Sequence, residues 1–346
     1  MSWRFTCRVL LAAGLAAGSW SAPVPAAEPG SSLPAVTGVR GTVDYLRTID
    51  TAMLEEFAKP HAFWGKLLEW VAGPGERPWL GRPYALAEDS VGRLIITDPG
   101  QGVVHILDFE KRKHEQLAEA KGKSFDSPVG VAVDAADNIY ISDSERARVY
   151  VFSRKGKFIR SLGGGPKRVP FQRPTGLALD MVRRLLYVTD TWRHQILVLN
   201  LEGSLVKTIG RRGTGPGEFN YPTALALTNG NLCVVDAMNF RIQVLTTEGS
   251  YLRSFGQPGD SRGSISRPKG IAVASDGNIY VVDALLETVQ VFDLQGNLLY
   301  DFGSDGATAK RFALPCGIYI APRDQIFVAD SYNRRVQVFR YRRLGK

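Results

Sequence analysis

Six times along this chain a short run of β-forming residues closes on an aspartate: Asp98, Asp143, Asp190, Asp236, Asp283 and Asp330. The spacing is roughly 46 residues, and self-similarity at such a period means one supersecondary unit repeated and stacked. Residues 173–210 show the unit. Arg173-Pro174-Thr175-Gly176 leads into run 177–179, and runs 186–190, 195–199 and 205–210 follow, each bounded by Gly, Asn, Asp or a short loop. Four β-rich runs joined by turn residues read as a four-stranded antiparallel meander. Asp137-Asn138, Asn229-Gly230-Asn231 and Asp276-Gly277-Asn278 fall between first and second runs and suit hairpins that need positive φ. No helical period runs inside the repeats, which excludes a helical solenoid. Four strands per unit make one blade, so the expected fold is all-β, a six-bladed β-propeller of four-stranded antiparallel blades.

Closure of the ring can be read from the two ends. The last unit stops at Val336-Gln337-Val338-Phe339-Arg340-Tyr341 and lacks a fourth run. Tyr45-Leu46-Arg47-Thr48-Ile49 nearly copies Tyr251-Leu252-Arg253-Ser254-Phe255, the fourth run of another unit. Residues 43–49 are therefore expected to close the last blade as its outer strand, leaving no open seam. The propeller then spans 43–341, with a flexible linker at 27–42 and a short tail at 342–346. Residues 50–80 form an insertion in which Trp64, Leu67, Leu68 and Val71 lie at helical spacing. A short helix is expected at 63–72. It either covers the propeller edge, the reading favoured by the lack of clustered positive charge, or offers a peripheral contact to a membrane or partner.

Residues 1–26 have the layout of a secretory signal peptide: Arg4 and Arg8, an apolar run from Val9 to Trp20, then small residues with Pro. The protein is thus expected in the periplasm or secreted. The whole chain carries a net charge of +9, and removing Arg4 and Arg8 leaves it strongly basic. Cys233 and Cys316 fall two units apart, too far for a disulfide, and are read as small buried hydrophobes.

The run of apolar residues, Asp, two or three residues, Asn or Arg, then Arg-Val/Ile-Gln-Val resembles the NHL-repeat β-propeller. Its best copies are Val328-Ala329-Asp330-Ser331-Tyr332-Asn333-Arg334-Arg335-Val336-Gln337-Val338-Phe339 and Val235-Asp236-Ala237-Met238-Asn239-Phe240-Arg241-Ile242-Gln243-Val244. Gly213-Thr214-Gly215-Pro216-Gly217-Glu218-Phe219-Asn220-Tyr221-Pro222 is similar to the family's glycine-rich loop. Asp98-Pro99-Gly100-Gln101 lacks the Arg, and Asp283-Ala284-Leu285-Leu286-Glu287 replaces both polar positions. The resemblance covers about residues 80–341 and implies a fold more than a function, because such propellers include RNA binders, interaction modules, sensors and metal-dependent lyases.

A residue seen in every unit serves the fold first. The six Asp are therefore assigned to backbone N–H groups in the turn after each run, not to a catalytic or metal ring. Four histidines, His61, His105, His114 and His194, provide no zinc-ligand spacing, and no strand–Gly-x-Ser-x-Gly–helix context occurs. No catalytic residue, metal or cofactor is assigned. Charge is more informative. In a propeller, the loops before the inner strands and those between second and third strands open on one face. Arg82, Arg173, Arg193, His194, Arg241, Arg267, Lys269 and Arg335 all fall there. A one-signed rim around a funnel concentrates anions. The expected function is a non-catalytic binding or scaffold module, expected as a monomer, whose basic face takes an acidic protein partner or an anionic envelope component. The alternative is a lyase or hydrolase in the central funnel. Nucleic acid is not expected, since export removes the protein from RNA.

Overall fold

A computed structural model describes residues 41–58, 80–163, 170–228, 230–322 and 324–343. The expected leader at 1–26, the linker at 27–40 and the helix at 63–72 lie outside the described residues.

Six four-stranded antiparallel sheets follow one another around an axis. Blade 1 contains Leu86–Glu88, Leu94–Asp98, Val103–Asp108 and Lys113–Leu117 from axis to rim. Blade 2 contains Pro128–Val133, Ile139–Asp143, Arg148–Phe152 and Phe158–Leu162. Blade 3 contains Pro174–Asp180, Leu185–Asp190, Gln195–Asn200 and Leu205–Ile209. Blade 4 contains Pro222–Thr228, Asn231–Asp236, Arg241–Thr246 and Tyr251–Phe255. Blade 5 contains Pro268–Val273, Ile279–Asp283, Thr288–Phe292 and Leu298–Phe302. Blade 6 contains Ile318–Ala321, Gln325–Asp330, Arg335–Arg343 and, from the other end of the chain, Gly41–Ile49.

Each second strand is sandwiched between the sheets on either side, so it reads as continuous β-branched and aromatic residues rather than an alternating pattern. Ile-Tyr-Val-Val-Asp at Ile279–Asp283 is buried at every position. The core is accordingly a ring of inter-blade contacts. Val149, Val151 and Leu162 of blade 2 meet Leu186, Val188 and Leu199 of blade 3. Leu94, Ile96 and Leu107 of blade 1 meet Phe327, Val336 and Val338 of blade 6, closing the circle. Blades 2 to 5 each carry a register shift between third and outer strands, at Phe152, Leu199, Leu245 and Phe292. Such bulges add the twist a rim strand requires.

The closing strand pairs as expected, with Tyr45 opposite Phe339 and Ile49 opposite Val336. Pairing extends beyond 43–49 to Gly41 opposite Arg343, so the strand takes in residues that the sequence reading gave to the linker and tail. A helix, Thr51–Ala58, follows at once. Asp50 Oδ1 accepts the Met53 N–H at 3.1 Å as its N-terminal cap. Leu54 is fully buried, and Met53 and Phe57 pack on the core shared by blades 6 and 1. Burying one such leucine is worth roughly 1.5–3 kcal/mol, so the helix stabilises the joint that both chain ends form. No helix among the described residues is long and apolar enough to cross a membrane.

Candidate binding face at the propeller axis

The six repeat aspartates are fully buried. Their carboxylates do not serve the following turn alone, as the sequence suggested. They reach back to the approach loop that leads into the inner strand of the same blade. Asp143 takes the N–H groups of Asp126 and Ser127 at 2.9 and 3.0 Å, and Asp190 takes those of Gln172 and Arg173 at 2.8 Å each. Asp98 holds Gly81 and Arg82 at 2.6 and 2.8 Å, and Asp283 holds Ser266 and Arg267 at 2.7 and 3.0 Å. Buried backbone donors need partners, and the carboxylate supplies them where no strand can. The turn after the second strand has a left-handed residue four positions past each Asp (Gly102, Ala147, His194, Phe240, Glu287 and Arg334), and Asp98, Asp143 and Asp283 also accept N–H groups there, from Gln101, Arg146, Leu285 and Leu286.

Blades 4 and 6 arrange this differently. Asp236 accepts one approach-loop N–H, from Asn220 at 2.6 Å, and then Asn239 Nδ2, Arg241 Nε and Gln243 Nε2 at 2.8, 2.8 and 3.0 Å. Asp330 likewise takes Ala313 N–H at 2.8 Å with Asn333, Arg335 and Gln337 at 2.9, 2.7 and 3.0 Å. The next residue before proline, Tyr221 or Leu314, turns to positive φ, 54° and 44°. Its N–H goes instead to the preceding blade, to His194 Nδ1 at 3.1 Å or Glu287 Oε1 at 3.3 Å.

These approach loops lead to an axial cavity. In five blades the residue after the proline lines its wall: Tyr84, Val129, Thr175, Thr223 and Lys269 border a volume of about 100 Å³. Two residues on, Leu86, Val131, Leu177, Leu225, Ile271 and Ile318 form an apolar girdle shared with the cavity at the opposite end. Between them a Gly or Ala lets adjacent inner strands touch. A Cβ on Gly176 would lie 2.8 Å from Ala224 Cα, and one on Gly130 or Gly317 would collide with the carbonyl of Thr175 or Tyr84.

Around this pocket the cations named from sequence divide by role. Arg241 and Arg335 are drawn into the frame, giving their Nε to Asp236 and Asp330 and their remaining donors to approach-loop carbonyls such as Gly215 O and Arg311 O at 2.8 and 2.9 Å. His194 is buried with its ring 4.5 Å from that of Tyr221, and it accepts the Tyr221 N–H. Burial and the nearby Arg212 hold its pKa below the usual histidine value. Arg193 lies 3.6 Å from Asp190, and Arg173 pairs with Glu145 at 2.8 Å while its guanidinium sits 5.0 Å from the Trp192 ring centre. Arg82, Arg267 and Lys269 remain, with no ion-pair partner among the described residues.

Lys269 is half-buried in the pocket wall. Burial lowers its ammonium pKa, and the like charges of Arg267 and Arg82 lower it further against the opposing pull of Cys316. Burial raises the Cys316 thiol, with a bond to Ser331 and the Lys269 charge working the other way. Cys233 fits the sequence reading, fully buried in the core between blades 4 and 5. Cys316 does not; it is only partly buried. Both cysteines are free. Thr223 Oγ1, also on the wall, is buried without a hydrogen-bond partner.

An apolar arc that the sequence reading missed rises beside the cations. The second residue after the repeat Asp is Trp192, Met238, Leu285 and Tyr332 in blades 3 to 6, and these are 53, 54, 60 and 70% exposed. Tyr221 joins them on the rim at 40%. In blades 1 and 2 the position holds Gly100 and Glu145. The signal lay in the sequence, but each blade writes a different residue there, so no repeat marked it. Among the described residues no group of three or more His, Cys, Asp or Glu is placed to hold a metal ion.

Comparison with known proteins agrees with this architecture. A family model described as a 6-bladed beta-propeller matches residues 174–254, and one described as NHL repeat matches 125–152 and 312–339. NHL repeat-containing protein 2 of Gallus gallus is 28% identical over 151 residues, which is 39% of this chain and 21% of that protein. Protein SUPPRESSOR OF QUENCHING 1, chloroplastic, of Arabidopsis thaliana is 27% identical over 165 residues, 45% of this chain and 15% of that one. The chain thus spans only a small part of the curated relatives it matches. Among solved structures, a virginiamycin B lyase from Staphylococcus aureus superposes with a TM-score of 0.56 at 13% identity, over 75% of this chain and 95% of that one. An auxiliary nutrient binding protein from Bacteroides thetaiotaomicron gives 0.60 at 17% identity, over 76% and 70%. At such identities the likeness shows the fold. The chain is a six-bladed β-propeller that carries NHL repeats.

Proposed function

We propose that this propeller is a non-catalytic binding module whose basic mouth recognises an anionic group, carried by an acidic protein partner or an anionic ligand. One observation carries the reading: Lys269 lines the axial pocket, the like charges of Arg267 and Arg82 act on it, and none of the three has an ion-pair partner among the described residues. Repulsion and desolvation raise the energy of that cluster when empty, and an anion relieves both. A partly shielded site also strengthens each charge-assisted bond relative to water. Arg82 and Arg267, exposed at the rim, steer the anion in, and Lys269 holds it.

The structural neighbours include both a nutrient binding protein and lyases. The pocket favours the binder, because His194, the histidine at its rim among the described residues, is spent on a backbone N–H. With residues 1–26 read as a leader, we place the protein in the periplasm or outside the cell, acting as a monomer. Lys269→Met tests the reading, with poly-glutamate as probe and titration calorimetry as readout. Losing one charge-assisted bond predicts tenfold or greater weakening, on the order of 1.5–3 kcal/mol. Unchanged affinity in the folded variant would overturn it.

A further inference from the structure

We infer that the partner is a polypeptide segment that sets an acidic side chain into the mouth and apolar side chains along the arc of Trp192, Met238, Leu285 and Tyr332. The inference rests on the basic-mouth reading and adds what lies beside the carboxylate. Four successive blades present an exposed apolar residue at one repeat position, while the rim on the far side carries Glu145. Exposed apolar surface gathered on one face and rimmed by polar groups marks an interaction site. Aromatic and methionine side chains are the types enriched where proteins meet. Tyr221 and Leu314 on the same rim hold left-handed backbone, fixed by His194 and Glu287 of the neighbouring blades. A bulky residue at positive φ costs energy that a merely structural loop would shed. The rim is thus rigid before any ligand arrives.

Charge complementarity selects the occupant. Of these three cations Lys269 alone lines the recessed pocket, half-buried, and Arg82 and Arg267 stand exposed near enough for their charges to act on it. An anionic membrane meets a flat array of projecting cations, and a nucleic acid follows a row of them at phosphate spacing. One carboxylate flanked by apolar side chains matches a point of positive charge beside an apolar arc. Peptide side chains provide that combination within a few residues.

The test uses the full chain and three fluorescein-labelled, acetylated and amidated 12-residue peptides, alternating Glu with Leu, Glu with Ser, or Lys with Leu, read by fluorescence anisotropy. Glu–Leu should bind at least tenfold more tightly than Glu–Ser. The variant Trp192→Ser/Met238→Ser/Leu285→Ser/Tyr332→Ser should erase that margin and leave Glu–Ser binding unchanged. Should the fourfold variant fail to fold by circular dichroism, Leu285→Asp alone should narrow the margin severalfold. Equal affinity for Glu–Leu and Glu–Ser sinks the arc while leaving the anion reading intact. Equal affinity for Glu–Leu and Lys–Leu sinks the anion reading itself. Binding of phosphatidylserine vesicles or poly-uridylate with no peptide affinity overturns the choice of a polypeptide.

Discussion

Blade 4 and blade 5 sit side by side, share a core and end their second strands on equally buried aspartates, yet the two carboxylates do different work. Asp236 of blade 4 balances a guanidinium and two side-chain amides. Asp283 of blade 5 receives backbone N–H groups, from Ser266, Arg267, Leu285 and Leu286. The difference propagates to the surface. In blade 5 the residue before proline keeps an ordinary backbone and points a free cation, Arg267, at the mouth. In blade 4 that residue, Tyr221, is turned over and its side chain packs on His194. Departure from the repeat is therefore what releases a side chain for binding.

The largest consequence to break this comparison concerns the carboxylates. Asp236→Asn should cost about 3–5 kcal/mol, since it leaves the Arg241 charge without its counter-ion in a buried setting. Asp283→Asn loses backbone bonds alone and should cost about 1–3 kcal/mol. Urea unfolding compares them, and equal losses would dissolve the distinction between the two blades.

Blade 1 gives a second contrast, because His105 stands where blades 4 and 6 place Gln243 and Gln337. His105 Nε2 faces Asp98 at 3.4 Å and Nδ1 faces His114 at 3.0 Å. Burial, then the neighbouring His105, lower the His114 pKa from 6.5 to about 4. The unfolded chain therefore binds more protons between those values, and stability should fall as pH drops from 6.5 towards about 4. The loss should be about 1–3 kcal/mol. Melting temperatures of the wild type and His114→Gln across that range check it, and parallel curves would refute the assignment.

The smallest effect separates the two backbone forms. Leu314→Gly relieves a left-handed residue and should be neutral or stabilising by up to about 1 kcal/mol. Arg267→Gly relieves nothing and should cost about 0.5–1 kcal/mol. Should both substitutions move the urea midpoint in the same direction, left-handed strain at Leu314 is not a real cost.

The frame was readable in the sequence because repetition amplifies it. Six Asp at one period gave the blades, and the likeness of Tyr45–Ile49 to Tyr251–Phe255 gave the closure. The partners of those Asp were not readable, since the approach loop lies 16 to 18 positions upstream and joins the carboxylate only in three dimensions. The helix Thr51–Ala58 had its cap in Asp50 and its apolar face in Met53, Leu54 and Phe57, but a longer run at 63–72 drew the reading away. Of the eight residues named for the basic face, Arg241, Arg335 and His194 went to internal bonds, which charge alone does not foretell. The arc was invisible for the opposite reason: Trp, Met, Leu and Tyr share a place and no letter.

The joint between the two chain ends also sets a clock. Gly41–Ile49 cannot pair until Arg335–Arg343 has been made, about 290 residues later. At a synthesis rate of roughly 5–20 residues per second, the first strand waits some fifteen seconds to a minute for its mate. During that interval every blade behind it can form, but the circle cannot. Assembly of the binding face, which needs all six approach loops in place, is thereby deferred until the strand Arg335–Arg343 has been made.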